Sequence, residues 1–183
     1  MYYDVLMAGF GGQGILMIGD LIALTAMRDG KHVTWMPAYG VEMRGGTANC
    51  TVVISDNRIG SPITLHPYSL IIMNKPSLGK FAPTMKPGGV LVANGSMMQE
   101  SDLERDDVDS VFIPTMEMAM EIGDARMASM IALGAYIEKT GIVTIENAIA
   151  ALESTLPEKR KAMLPMNMKA LEAGRDFARA NKK

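Results

Sequence analysis

The hydrophobic pattern alternates between two periods along the first two thirds of the chain. Tyr3 to Ala8 is a short apolar run closed by glycines, which predicts a first strand. Ile15 to Arg28 is apolar on most faces (Leu16, Met17, Ile18, Leu21, Ile22, Leu24, Met27), with Asp20 its one acid. That predicts a helix buried beside a sheet, with Arg28 at its negative end and Gly30 to stop it. His32 to Met36 predicts a second strand, and Pro37 to Gly46 a loop without regular pattern. From Thr47 to Ser55, Ala48, Cys50, Val52 and Ile54 alternate with Asn49, Thr51, Val53 and Ser55, a period of two and hence a strand. Asp56-Asn57 predicts a turn returning through Ile59, which makes Thr47–Ile59 a hairpin.

Tyr68 to Met73 reads as a further buried strand, Leu78 to Met85 as a short helix, Lys86 to Gly89 as a turn, and Val90 to Ala93 as a strand. Ser101 to Asp109 is acidic and predicted exposed, and Val111 to Ile113 is the last strand. The remainder is helical. Met127, Met130, Ile131, Gly134 and Ile137 recur at three and four, with Asp124 near a cap position. Thr144 to Leu152 forms a second such stretch, and Pro165 opens a third, whose face holds Asn167, Ala170, Leu171, Gly174, Phe177 and Ala178. Alternating strands and helices predict one α/β domain over 1–183: a three-layer α/β/α arrangement with a mixed, mostly parallel sheet, the hairpin supplying an antiparallel pair.

Composition narrows the function. The 183 residues are 48% hydrophobic and 21% charged, as in an ordinary globular chain, and the net charge of −2 offers no field to nucleic acid or to an anionic membrane. No apolar run is long enough to span a bilayer, and the first residues contain no basic leader, so a cytoplasmic protein is expected. The single cysteine, Cys50, excludes an internal disulfide and a cysteine-held iron–sulfur cluster. Eighteen methionines stand against ten Phe, Tyr and Trp together. They serve either as fillers of core gaps or as a soft surface for partners.

Gly9-Phe10-Gly11-Gly12-Gln13-Gly14 satisfies G-x-G-x-x-G between a strand and a helix. Such a turn can bring backbone amides and a helix N-terminus to an anion, or can serve only as a tight turn. A free dinucleotide site also needs an acid at the end of the second strand, and Trp35-Met36-Pro37-Ala38 has none. Gln13 can donate and accept, so it can tie the loop to a ligand or a neighbouring chain. The stretch Tyr39-Gly40-Val41-Glu42-Met43-Arg44-Gly45-Gly46 comes after the second strand. If the first two strands run parallel across the Ile15–Arg28 helix, both loops leave the same carboxyl edge, where open α/β sheets bind ligands. Arg44, beside Gly45 and Gly46 and oriented by Glu42, suits a phosphate or carboxylate; the alternative is a surface ion pair of little worth.

At these two loops the chain resembles the gamma subunit, or gamma domain, of the 2-oxoacid:ferredoxin (acceptor) oxidoreductases. Ser61-Pro62, Leu133-Gly134-Ala135 and the spacing of Asn167, Ala170 and Gly174 agree, while Ser129 departs from an expected Asn. The resemblance implies an enzyme that converts a 2-oxoacid and coenzyme A to acyl-CoA and carbon dioxide while reducing ferredoxin. It implies alpha and beta partner chains, with a delta chain in some assemblies. Thiamine diphosphate, Mg2+, coenzyme A and [4Fe-4S] clusters would belong to the complex, none being held by this chain alone. The expected substrate is 2-oxoglutarate rather than pyruvate or a branched-chain oxoacid. The chain would supply no catalytic residue. Gly9, Gly11, Gly12, Gln13, Gly14, Tyr39, Glu42, Arg44, Gly45 and Gly46 would line a cofactor or a subunit interface, and the isolated chain could form a homodimer. The alternatives are an independent dinucleotide-binding oxidoreductase and a non-catalytic interaction module of another complex.

Overall fold

The computed structural model describes residues 1–40 and 46–181. Among the described residues six strands form one sheet: β1 (Tyr2–Phe10), β2 (His32–Tyr39), β3 (Thr47–Ser55), β4 (Ser69–Ile72), β5 (Val90–Asn94) and β6 (Asp109–Ile113), in the spatial order β2-β3-β1-β4-β5-β6. Strands β1, β4, β5 and β6 pair in parallel, and β3 is antiparallel to both β1 and β2. Five strands therefore share one direction and β3 alone opposes them, the mixed, mostly parallel sheet that the pattern predicts.

The helices are α1 (Ile15–Arg28), α2 (Lys75–Phe81), α3 (Thr115–Ile122), α4 (Ala128–Thr140), α5 (Ile145–Thr155) and α6 (Leu164–Ala180). Alternation along the strands divides the core in two. Val5, Met7, Cys50, Val52, Ile54, Ile71, Val92 and Val111 face a thick layer built from α1 and α3 to α6. Leu6, Ala8, Leu70, Ile72, Leu91 and Ala93 face a thinner layer around Leu78 of α2, Ala82, Met85 and Met98. The methionines divide in the same way: Met7, Met73, Met85, Met98, Met127 and Met130 are core, whereas Met17, Met27, Met36, Met97 and Met120 are exposed.

Close approach of α4 and α6 depends on two glycines. A β-carbon on Gly134 would run into the Leu171 carbonyl, and one on Gly174 into the Ile131 carbonyl. The face predicted from Asn167, Ala170, Leu171, Gly174 and Ala178 is the buried face of α6.

Three expectations need correction. The predicted Thr47–Ile59 hairpin does not form, because both edges of β3 are already occupied, by β1 and β2. The chain leaves after Ser55, and Asp56 pairs with Lys31 at 2.5 Å. The loop predicted from Pro37 begins later, since β2 continues to Tyr39. Gly40 N donates to Thr47 O at 2.7 Å, so the even-numbered residues of β2 bond to β3 and Pro37 faces away from it, where a missing N–H breaks no ladder bond. The helix predicted over Leu78–Met85 starts instead at Lys75, because Asn74 accepts from Ser77 N at 2.9 Å and caps it.

Candidate functional site

The first two strands deliver their loops to the same edge, as the crossover through α1 requires. Gly11 N donates to Gly46 O at 2.9 Å, which joins the glycine loop to the end of the second loop. Tyr39 stands exposed at the end of β2 on the same rim. Glu42, Arg44 and Gly45 lie outside the described residues.

Within the glycine loop each residue has a distinct task. Gly9 is still in β1, and a β-carbon there would sit 3.1 Å from Met73 Cβ and collide with the Gln13 amide. Gln13 turns inward: its Oε1 accepts from Phe10 N at 2.7 Å and its Nε2 donates to Met73 O at 3.3 Å. The side chain that could have reached a neighbour is thus spent bracing β1 against the end of β4, where Asn94 Nδ2 also donates to Met73 O at 3.3 Å. Gly12 (φ 99°) is exposed and Gly14 (φ 76°) caps α1, both in the left-handed region that favours glycine. The cap position offers no side-chain acceptor and the first turn of α1 has no acid. Its orphan amides therefore add positive potential at the rim.

The loop lies against residues that the two-loop argument did not foresee. A cleft of about 230 Å3 is lined by Gly12, Gln13, Met73, Met116, Ala125, Arg126, Ala128 and Ser129. A second, of about 280 Å3, is lined by Gly12, Gly14, Met17, Arg126, Met127, Leu152, Leu156, Arg160, Met163 and Asn167. They share Gly12 and Arg126. Ser129 is 1% exposed and its Oγ has no hydrogen-bond partner among the described residues; it abuts Gly14, where a β-carbon would collide with it. Arg126 is held in a fork by Asp124, with Nη2 2.6 Å from Oδ2, and those hydrogen bonds hold the Asp124 carboxyl below its ordinary range. Arg160 makes no ion pair among the described residues. The arrangement is an apolar, methionine-walled cleft with orphan amides, a buried hydroxyl and two guanidinium groups around it, which suits an elongated ligand bearing an anionic group.

Sequence reasoning missed Ser129 as a site residue. Its departure from Asn marks the position but points only to a helix contact. Arg126 and Arg160 give no signal, because they lie more than a hundred residues from the glycine loop in the chain.

The topology also separates this edge from a dinucleotide fold. Strand β3 lies between β1 and β2, so the end of β2 is about 10 Å from β1, two strand spacings, rather than about 5 Å. A ribose-binding acid at that position would be one strand too far out.

Comparison with known proteins agrees with this geometry. The family model described as pyruvate ferredoxin/flavodoxin oxidoreductase matches residues 4–177. The ketoisovalerate oxidoreductase subunit VorA of Methanothermobacter marburgensis is 39% identical over 179 residues, covering 97% of this chain and 37% of the relative. The chain thus spans little more than a third of that protein. The gamma subunit of the keto/oxoacid ferredoxin oxidoreductase of Geobacter sulfurreducens superposes with a TM-score of 0.86 at 29% identity, covering 100% of this chain and 99% of that one. The 2-oxoglutarate:ferredoxin oxidoreductase of Magnetococcus marinus, solved with 2-oxoglutarate, coenzyme A and succinyl-CoA, superposes at 0.90 with 26% identity, covering 100% of this chain and 32% of that one. With the sheet order, the glycine rim and the close α4–α6 crossing in place, the chain belongs to the pyruvate ferredoxin/flavodoxin oxidoreductase family.

Proposed function

We propose that the chain is the gamma subunit of a multi-subunit 2-oxoacid:ferredoxin oxidoreductase, working with alpha and beta chains, and a delta chain where one exists. The supporting observation is the bond from Gly11 N to Gly46 O, which ties the glycine loop, beside the Ser129 cleft, to the residue that ends the second loop. Its one thiol is not poised as a nucleophile: burial pushes the Cys50 thiol up to about 12, with a hydrogen bond to Trp35 only partly opposing it. Its contribution is to position and cover. Gly12, the amides at the start of α1, Arg126 and Arg160 fit the anionic groups of coenzyme A or thiamine diphosphate held mainly by the companion chains. The methionine walls fit the uncharged part of such a molecule. Bound in the complex, thiamine diphosphate would supply the decarboxylating chemistry and the clusters of the companion chains the electron path.

The 2-oxoacid would bind chiefly on those chains. The expected substrate is 2-oxoglutarate, and the VorA likeness sets ketoisovalerate beside it as the competing substrate. The test is to isolate the tagged chain with its companions and assay coenzyme A-dependent reduction of a low-potential dye with 2-oxoglutarate, pyruvate and ketoisovalerate. Companions lacking thiamine diphosphate, or no turnover with any of the three, would refute the assignment. In the active complex Arg44→Ala should weaken acyl-CoA formation or subunit association, and unchanged values for both would remove Arg44 from the functional residues.

A further inference from the structure

The two edges of the sheet are treated differently. At β6, Asp109 pairs with Lys139, and Arg105, Asp106 and Asp107 lie just before the strand, Arg105 in a fork with Asp107 at 2.6 and 2.7 Å. Charges of this kind keep an edge from pairing with another strand. Strand β2 has no such guard. From His32 to Tyr39 it holds no Lys, Arg, Asp or Glu, and its second half is exposed on both faces. Trp35 is 42% exposed and Tyr39 62% on the α1 side; Met36 is 36% exposed on the opposite side. The register sends the backbone groups of Val33, Trp35, Pro37 and Tyr39 outward, and none of them meets a hydrogen-bond partner among the described residues. A long, uncharged edge of this kind would be an aggregation hazard if it stayed uncovered.

We infer that β2 is the docking strand for a companion subunit, which adds an extended, uncharged apolar segment as a seventh strand beside His32–Tyr39. The inference rests on the assignment of the chain to a multi-subunit enzyme. Two observations favour a companion over a second copy. In VorA the equivalent of nearly this whole chain makes up 37% of one longer polypeptide, so there a domain of this kind is tethered to a different neighbour. Pro37 also weighs against self-pairing. A two-fold pair centred on Trp35 would set each Pro37 opposite the other copy's Val33 and lose two hydrogen bonds, whereas a heterologous strand loses one. The apolar side chains on both faces would then be covered by the incoming strand and its flanks.

The test compares hydrogen exchange of the free chain with that of the purified complex, and adds the exposed-site double variant Met36→Lys/Ala38→Lys. Peptides covering 32–39 should exchange at least about tenfold more slowly in the complex. The variant should melt as wild type yet assemble at least about tenfold more weakly. Unchanged exchange at Val33 and Trp35 in an intact, active complex would overturn the docking strand and leave the enzyme assignment standing. A wild-type chain that gathers no thiamine-dependent companions would defeat both. If the variant disperses a homodimer without weakening the complex, the edge belongs to a second copy and the inference fails. Exchange in the wild-type complex decides the matter even if the variant folds poorly.

Discussion

Replacing Gly174 with Ala tests whether α4 and α6 are held together by backbone contact. The added β-carbon would overlap the Ile131 carbonyl oxygen and sit 2.8 Å from the carbonyl carbon and 2.9 Å from Ala135 N. Non-bonded heavy atoms pack at about 3.5 Å, so relieving the overlap with the Ile131 oxygen parts the helices by about 1 Å or more. The seam holds Ile131 and Leu171, both fully buried, with Ala135, Ala170 and Ala178. Taking about 50 atom pairs across it at ~0.1–0.2 kcal/mol each, a gap of this size forfeits about half, roughly 3–5 kcal/mol. Alanine returns about 1 kcal/mol in helix propensity, which leaves a net loss of about 2–4 kcal/mol. For a chain of this size that lowers the melting temperature by about 4–16 °C. Circular dichroism melts and urea titration of the two proteins measure it. Gly79→Ala in α2 is the control, since its β-carbon meets nothing within 4 Å and should give up to about 1 kcal/mol of stabilisation. A Gly174→Ala protein as stable as wild type, or more stable, would refute the reasoning by showing that propensity outweighs the crossing.

Ser129→Ala removes a buried hydroxyl that bonds to nothing among the described residues, so stability should change by less than about 1 kcal/mol, while in the active complex KM for coenzyme A should rise severalfold with kcat little altered; an unchanged KM would remove the cleft from the ligand path. Gly14→Ala should be harmful, because its φ of 76° is strained for a β-carbon that would also meet Ser129; a thermal melt equal to wild type would contradict the loop geometry. The Cys50 thiol, pushed up to about 12 by burial, should resist a thiol reagent at pH 8 in the folded protein and react at once in denaturant. Because its folded value exceeds an unfolded value of about 8.5, the folded state holds the proton longer, so this group's contribution is present below the unfolded value and is lost as pH rises through the folded one; stability rising across that alkaline window in wild type relative to Cys50→Ala would reverse the sign. Titration with NADH or NADPH should show no saturable binding, given that β3 separates β2 from β1.

Local pattern was enough to place most elements. The bounds of α1 and β3 come from period and from the glycines around them, because a helix and a half-buried strand write their periods into adjacent residues. That β1 and β2 end on one edge was also legible, since strands joined by a crossover helix run in the same direction. The order of strands across the sheet was not. The period of Thr47–Ser55 says that it is a strand, but only the packed sheet shows that it inserts between β1 and β2 and leaves no room for a hairpin with the segment from Asp56 to Ile59. In the same way Gln13 reads as a free amide until Met73, sixty residues on, takes its donor. Ser129, Arg126 and Arg160 gain their place beside Gly12 and Gly14 only when the helical layer folds over the rim, because a cleft depends on distances in space and sequence pattern records only neighbours along the chain.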